Sequence, residues 1–393
     1  MRLITYHDPR LTARWVAHNQ PDGVLVKLEV IRVIDNEGQV VHPEREPRLT
    51  GDEHRRLMHS LIRIRMIDER MLRLQRQGRL GFYVSTFGEE ATHIGAAAAL
   101  RTSDWFYSAY REVGAALYRG YSLRTFMCQL FGNAEDPVKG RQMPVHHSVR
   151  HLNFVTVASP VATQIPHAVG TAWAAKLQGK DDVAIAFFGD GGTSTPIFHS
   201  GCLFAGLYKV PAIIVCRNNG WAISAPRSVQ TVTPTFAQKA IAYGLPGVLV
   251  DGNDPLAMVH VVGEAAARGR RGEGATLIEA RTYRRGAHSS SDDPSVYRDP
   301  TEPKEWEARD PIDRYRKYLL RKGELTAEVE ATWREEITAE INDALRYAEA
   351  VAPKPPLRSM FEDVYADVPW HLEEQYEGLR AHLDRHGEKP LDK

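Results

Sequence analysis

Two short segments of this 393-residue chain combine glycine with oxygen-bearing side chains. One is Gly189-Asp190-Gly191-Gly192-Thr193-Ser194, directly after the apolar run VAIAFF at 183–188. The other is Arg217-Asn218-Asn219-Gly220-Trp221, directly after AIIVC at 212–216. Glycine lets a backbone turn tightly and approach a ligand closely. Asp190 and Asn219 offer a carboxylate and an amide oxygen at neighbouring strand ends, the donor chemistry that Mg2+ accepts alongside substrate phosphates. Alone, Asp-Gly is a common turn; the pairing of the two segments across 26 residues is what raises it above that.

A phosphate-bearing ligand also needs cations. Arg111 in AYREVG, Arg217 and His288 in GAHSSSDD are the candidates, arginine because its planar fork donates two parallel hydrogen bonds. A surface salt bridge is the ordinary fate of an arginine, but Arg217 sits at a predicted buried strand end, where an unpaired charge is costly. His146, His147 and His151 cluster without a convincing fourth ligand or a cysteine, so zinc is not expected. His146 lies in a loop that could face a pocket. The polar loop at 284–299 follows a predicted strand and is placed to cover a ligand. No GxSxG elbow, Walker A loop or complete GxGxxG fingerprint follows a strand.

These segments need a scaffold. From about 160 the chain alternates helices (161–178, 197–208, near 236–243, 254–269) with strands (183–188, 212–216, 247–250, 276–280). Continuous apolar strands between helices predict a buried, mostly parallel sheet. Ligands of such sheets bind at the carboxyl ends of the strands, which puts the chemistry just after 188, 216, 250 and 281. Upstream lie a β-rich stretch (25–34), a linker HPEREPR (42–48), a helix carrying Leu57, Leu61, Ile64, Ile67, Met71 and Leu74 at helical spacing, and further helices at 92–100, 111–119 and 122–131. The arginine-rich second face of the long helix (Arg55, Arg56, Arg63, Arg65, Arg70, Arg73, Arg76) reads as a solvated face or a subunit contact.

Fifty basic residues balance fifty acidic ones, which argues against a general nucleic-acid or membrane-surface binder. With 43% hydrophobic and 25% charged residues the composition is globular, and no run approaches a membrane span. Cys128, Cys202 and Cys216 are scattered and odd in number, as in a reducing compartment, and are expected as small buried hydrophobes. The first ten residues lack an apolar signal core, and Asp8 and Asp22 interrupt a basic amphipathic pattern. The expectation is a cytoplasmic, bacterial-type chain without a transit peptide.

The spacing of GDG and NN is the signature of thiamine-diphosphate enzymes, and several segments carry a closer resemblance. FYVSTFGEEATHIGAAAAL (82–100), YREVG (110–114), KGRQMPVHHS (139–148), FVTVASPVATQIPHAVG (154–170), CRNNGWAIS (216–224), LVDGNDP (249–255), AHSSSDDPSVYR (287–298) and MFEDVYADVP (360–369) resemble the alpha chains of the decarboxylase component of branched-chain 2-oxoacid dehydrogenase complexes. The resemblance runs from about residue 25 to the end. Alpha chains of pyruvate and acetoin dehydrogenases are its neighbours and the alternative assignment. A non-catalytic assembly subunit is the alternative from another class, against which the intact Asp190 and Asn219 speak.

The resemblance implies a thiamine-diphosphate-binding α/β fold with an N-terminal arm (1–50), a cofactor-binding domain (51–300) and a helical C-terminal extension (301–393). It implies oxidative decarboxylation of branched-chain 2-oxoacids and reductive acylation of the lipoyl group of an acyltransferase core, in branched-chain amino acid breakdown. Two alpha and two beta chains would assemble, and the alpha chain alone would be inactive. Asp190, Asn219 and the Trp221 carbonyl would hold Mg2+. Tyr110, Arg111, Ser159, Gly189, Gly191, Arg217 and His288 would contact the cofactor, with His288 catalytic and Phe82, Tyr110 and His146 in the substrate pocket. Ser159, Thr163 and Gln164 match positions that bind K+ in mitochondrial relatives, and Ser289 matches a phosphorylated one. The chain departs from the family pattern at Ser194-Thr195-Pro196-Ile197, where an acidic run is usual, at Ala109 in place of glutamine, and at Trp221 in place of tyrosine. Mg2+ binding is expected to survive all three; the first bears on local packing and on the contact to the beta chain.

Overall fold

A computed structural model describes residues 28–387. The expectations for residues 25–27, for the first ten residues and for Asp8 and Asp22 lie outside the described residues. Among the described residues, seven strands form one parallel sheet in the order β1-β8-β9-β5-β4-β2-β3. They are β1 (Val30–Ile31), β2 (Trp105–Tyr107), β3 (Phe154–Val155), β4 (Ala184–Gly189), β5 (Ala212–Asn218), β8 (Gly247–Asp251) and β9 (Thr276–Arg281); a separate hairpin pairs β6 (Trp221–Ala222) with β7 (Ala225–Pro226). β2 and β3 lie upstream of the region from which a sheet was expected, and three and two residues are too few for a pattern to emerge.

Successive side chains of a strand point to opposite faces, and here both faces are dry. Ile185, Phe187, Ile213 and Val215 join one core with α1 (Gly51–Arg76), α2 (Glu90–Ala99) and the helix Pro255–Arg270. Ala184, Ala186, Phe188, Ile214 and Cys216 join a second core with the helices Gln164–Leu177 and Pro196–Leu207. Full burial of each such Ile or Phe is worth about 1.5–3 kcal/mol, so the continuous apolar runs pin the strands. Cys128, Cys202 and Cys216 are buried and free, as expected.

α1 starts where Thr50 caps it and Glu53 returns the bond, a reciprocal capping box. Its arginine face is solvated only in part: Arg56, Arg73 and Arg76 are exposed, while Arg63 pairs with Glu340, Arg55 with Glu324, and Arg65 bridges the buried Glu90 and Asp310. The carboxylates come from distant segments, so no pattern within the helix could reveal them. Two other expectations shift. The helix expected at 161–178 begins at Gln164, because Ala162 takes a left-handed turn (φ 69°). The helix expected near 236–243 is a 3-10 run, Ala237–Tyr243.

Of the four strand ends singled out, three face one cleft. The fourth, after β8, is structural: Asp254 accepts from the backbone N–H groups of Val33, Ile34, Leu256 and Ala257, tying the upstream segment to the helix it caps.

Candidate active site

β4 runs into a 3-10 turn, Asp190–Ser194, and then a helix. The unusual Ser194–Ile197 run builds that start: the Thr195 hydroxyl accepts from the Phe198 N–H, and Pro196 opens the helix, where its missing N–H costs nothing. β5 delivers Arg217, Asn218 and Asn219 and turns into the β6–β7 hairpin. β9 leads into the 284–299 loop. Between these ends lies a cavity of about 510 Å3. Phe82, Tyr110, Arg111, His146, Ser159, Gln164, Gly189, Asp190, Gly191, Arg217, Asn219, Trp221 and His288 all line it.

Thr163 does not; its hydroxyl donates to the Pro160 carbonyl (2.9 Å). His147 and His151 also lie elsewhere, His147 fully buried among aromatic rings and His151 on the surface.

Arg217 is buried, and its charge is met by two carboxylates. Its Nε lies 2.6 Å from Glu89 Oε2, and an Nη1–H donates to Glu112 Oε1. Glu112 is held by the Ser108 hydroxyl and the Ala109 N–H, each 2.8 Å from Oε2. Glu89 also takes the Asn219 amide N–H (2.9 Å), while Asn219 Oδ1 accepts from the Trp221 N–H (3.2 Å). That pairing fixes which end of the amide is oxygen.

Arg111 donates to the carbonyls of Ser85 and His288, both at 2.6 Å. Arg284, fully buried, donates to the carbonyls of Trp221 (3.3 Å) and Ile223 (2.8 Å) and to the Tyr297 hydroxyl (2.8 Å). The 284–299 loop is ordered by its own contacts: Asp292 accepts from the His288 N–H (2.7 Å) and the Tyr297 hydroxyl (2.6 Å). His288 Nδ1 faces Arg111 and Arg284 at 3.4 Å each. Burial, then those two cations, pushes its pKa down to about 4. The ring is therefore neutral near pH 7, and with two donors at Nδ1 its proton sits on Nε2.

Tyr110 stands between two histidines, stacked on His146 (centroids 6.4 Å) and edge-on to His288 (6.1 Å). His146 Nδ1 is 3.1 Å from the Pro144 carbonyl and Nε2 is 2.7 Å from the Ser159 hydroxyl. Its proton is thus on Nδ1, the opposite tautomer, and burial lowers its pKa.

The donor set of Asp190, Asn219 and the Trp221 carbonyl is all oxygen, as Mg2+ requires. Burial pushes the Asp190 carboxyl up to about 6, with the Gln230 amide pulling the other way (Nε2 to Oδ2, 2.9 Å). A buried carboxylate with so little compensation is suited to a cation. A Cβ on Gly189 would meet nothing within 4 Å, so bare backbone faces the cavity there. On Gly191 it would stand 2.8 Å from Ala222 Cβ, so only glycine lets the hairpin close on this turn. The residues present fit both the cation and a phosphate-bearing ligand.

Sequence reasoning missed Glu89, Glu112, Arg284 and Gln230. Glu112 sat beside the assigned Arg111, and Glu89 in the quoted segment FYVSTFGEEATHIGAAAAL; a buried arginine at a strand end demanded carboxylates, but nothing along the chain separated Glu89 from Glu90 for that role.

The sequence model of the dehydrogenase E1 component matches residues 58–357. The chain is 42% identical over 376 residues to the 2-oxoisovalerate dehydrogenase subunit alpha, mitochondrial, of Mus musculus, covering 95% of this chain and 84% of the relative. The Homo sapiens protein of that name is 42% identical over 375 residues, with the same coverage. Subunit alpha 2 of Arabidopsis thaliana is 42% identical over 359 residues, covering 90% and 75%. These names overturn the expectation of a cytoplasmic chain, since the similar proteins are named mitochondrial.

Proposed function

The chain belongs to the dehydrogenase E1 component family, and from that premise we propose that it is the alpha subunit of a branched-chain 2-oxoacid dehydrogenase. The relatives' name, 2-oxoisovalerate dehydrogenase, favours this over a pyruvate or acetoin enzyme. The observation that carries the reading is the gathering of Asp190, Asn219, Arg111 and His288 around one cavity at the ends of β4, β5 and β9.

Thiamine diphosphate, when bound, supplies a nucleophilic carbon and a sink for the electrons released as CO2 leaves. Asp190, Asn219 and the Trp221 carbonyl hold Mg2+, with Gly189 and Gly191 exposing backbone to the diphosphate. Arg111 gives it positive charge, while Arg217, already compensated by Glu89 and Glu112, contributes shape and hydrogen bonding. Neutral His288 offers an Nε2–H to the substrate's oxygens and, lacking charge, does not compete with Mg2+. Phe82, Tyr110 and the His146 ring give the branched side chain an apolar wall. Ser159, Thr163 and Gln164 form the turn proposed for K+; Gln164 Oε1 is a buried acceptor without a partner among the described residues, which suits a weakly hydrated cation. A beta chain completes the site in an assembly of two alpha and two beta chains, and a lipoyl-bearing acyltransferase core receives the acyl group. Ser289, next to His288, is the proposed modification point, where a phosphate would bring two negative charges to the loop.

The test is decarboxylation by this chain co-expressed with its beta chain, with thiamine diphosphate and Mg2+. Preference for 3-methyl-2-oxobutanoate (2-oxoisovalerate) over pyruvate, and silence without the beta chain, are expected. Preference for pyruvate would move the chain to the neighbouring activity. Absence of thiamine diphosphate binding would point to an assembly role instead.

A further inference from the structure

Asp190 and Asn219 leave different strands, and a cation held between them demands that two separate loops keep a fixed distance. One side chain spans those loops. Gln230 lies eleven residues beyond Asn219, where the chain folds back through a 3-10 turn, Arg227–Val229. The Arg227 N–H donates to the Gly220 carbonyl (3.0 Å), and the Gln230 N–H donates to the Arg227 carbonyl (3.0 Å), so Gln230 is anchored to the Asn-Gly turn. Its side-chain amide then reaches the other loop, with Nε2 donating to Asp190 Oδ2 (2.9 Å) and to the Ala225 carbonyl (3.0 Å).

The amide cannot be reversed. Both neighbours of Nε2 are acceptors, so an oxygen in its place would face a carboxylate and a carbonyl. The remaining atom, Oε1, is buried and has no hydrogen-bond partner among the described residues. It lies against the same turn, 3.9 Å from where a Cβ on Gly191 would stand. A buried, unsatisfied acceptor costs about 1–3 kcal/mol unless something donates to it. Mg2+ characteristically keeps several of its waters, and each is a donor.

We propose that Gln230 is a positioning residue of the cation site: its amide N–H orients the Asp190 carboxylate, and its unpaired carbonyl accepts from a water on the bound cation. The inference rests on the cofactor reading above. Groups that orient a metal's ligands are worth ~10- to 100-fold in metal affinity when removed. Methionine matches glutamine in length and removes both functions.

The experiment uses the full chain assembled with its beta chain, with Mn2+ as a paramagnetic stand-in for Mg2+. Mn2+ binding is read by electron paramagnetic resonance in the presence of thiamine diphosphate, and the cation-free melting temperature is measured beside it. For Gln230→Met we expect the Mn2+ dissociation constant to rise ~10- to 100-fold, with an altered bound-Mn2+ spectrum, beside the modest fall in cation-free melting temperature that two lost hydrogen bonds bring. Unchanged Mn2+ affinity overturns the inference. So does weakened binding with an unaltered bound-Mn2+ spectrum, since a loop staple alone would give that. Should the methionine variant fail to assemble, Gln230→Asn, one methylene too short to span the loops, is judged by the same two readings. A wild-type complex that binds neither Mn2+ nor thiamine diphosphate overturns the proposed function and this inference with it.

Discussion

The His147→Phe variant is expected to gain stability over the wild type as the solution is acidified. His147 is fully buried, stacked on Tyr121 (5.3 Å) and Phe154 (5.1 Å) and edge-on to Phe126 (6.0 Å). Burial, opposed only by a backbone contact at Val145, pushes its pKa down to about 4 from 6.5. The unfolded chain therefore takes up this proton first as pH falls, so the ring's full contribution to stability is present above pH ~6.5 and lost progressively below it. Each pH unit in that window costs roughly 1.4 kcal/mol, which integrates to about 2 kcal/mol at pH ~5 and about 3 kcal/mol at the acid limit. Phenylalanine cannot titrate. Its larger ring adds a steric cost of ~1–3 kcal/mol, but that cost does not vary with pH. Every other group titrates alike in both chains and cancels. Urea unfolding followed by tryptophan fluorescence at about pH 7.5 and about pH 5 gives the two differences. A stability gap that narrows, or turns in favour of the variant, by about 2 kcal/mol on acidification is expected. A gap that does not change between the two pH values would refute the reasoning, because it would mean that the ring is hydrated or paired in the folded chain.

Three further outcomes follow from the same geometry. Arg65→Met leaves the buried Glu90 without its 2.5 Å partner, while Asp310 keeps Arg285; a loss of roughly 3–5 kcal/mol is expected in denaturant unfolding, and a loss under 1 kcal/mol would mean that water replaces the guanidinium. Gly191→Ala puts a methyl 2.8 Å from Ala222 Cβ and should displace the hairpin that carries the Trp221 carbonyl, weakening thiamine diphosphate binding in calorimetric titration with little change in the core; unaltered binding would show that the hairpin yields freely. His288, held near pKa 4, is neutral throughout the neutral range, so the pH profile of kcat should show no limb from this ring above pH ~5; a limb near pH 6.5 that disappears in His288→Gln would show the ring to be charged at work.

The parts of the fold that could be read in the sequence are those whose signal is local. β4 and β5 announce themselves because both their faces are dry, so every residue of each is apolar until the chemistry begins at Gly189 and Arg217. β2 and β3 hold five residues between them and owe their place to pairing with β4 and with each other, which no window along the chain contains. The buried share of α1's arginine face was hidden for the same reason, since Glu90, Asp310, Glu324 and Glu340, which pair with Arg65, Arg55 and Arg63, lie about 25 to 280 residues away. In the site, Asp190, Asn219 and His288 could be found from residue type and from position after a strand, and Arg111 from residue type in the segment AYREVG. Arg284 could not, because an arginine in a polar loop looks solvated until its three acceptors are known.

Electrostatics explains why the partners missed are as much part of the site as the residues found. Three guanidiniums (Arg111, Arg217, Arg284) and three carboxylates (Glu89, Glu112, Asp190) are buried around the cavity, and the two histidines on it have lowered pKa values, so the formal charges cancel before any ligand enters. A buried net charge is costly, and a balanced site avoids that cost in the free protein. The same balance constrains what can enter. A diphosphate alone, or a divalent cation alone, would leave an excess of like charge where water cannot screen it. The two together, with the positive ring of the proposed cofactor, bring almost none. On this account Glu89 and Glu112 act through arithmetic as well as geometry: by cancelling Arg217 they keep the cavity from being a general anion trap. The proposed selectivity for a diphosphate that arrives with its metal rests on Asp190, whose buried carboxylate is met directly by hydrogen bonds from the Gln230 amide and the backbone rather than by a guanidinium.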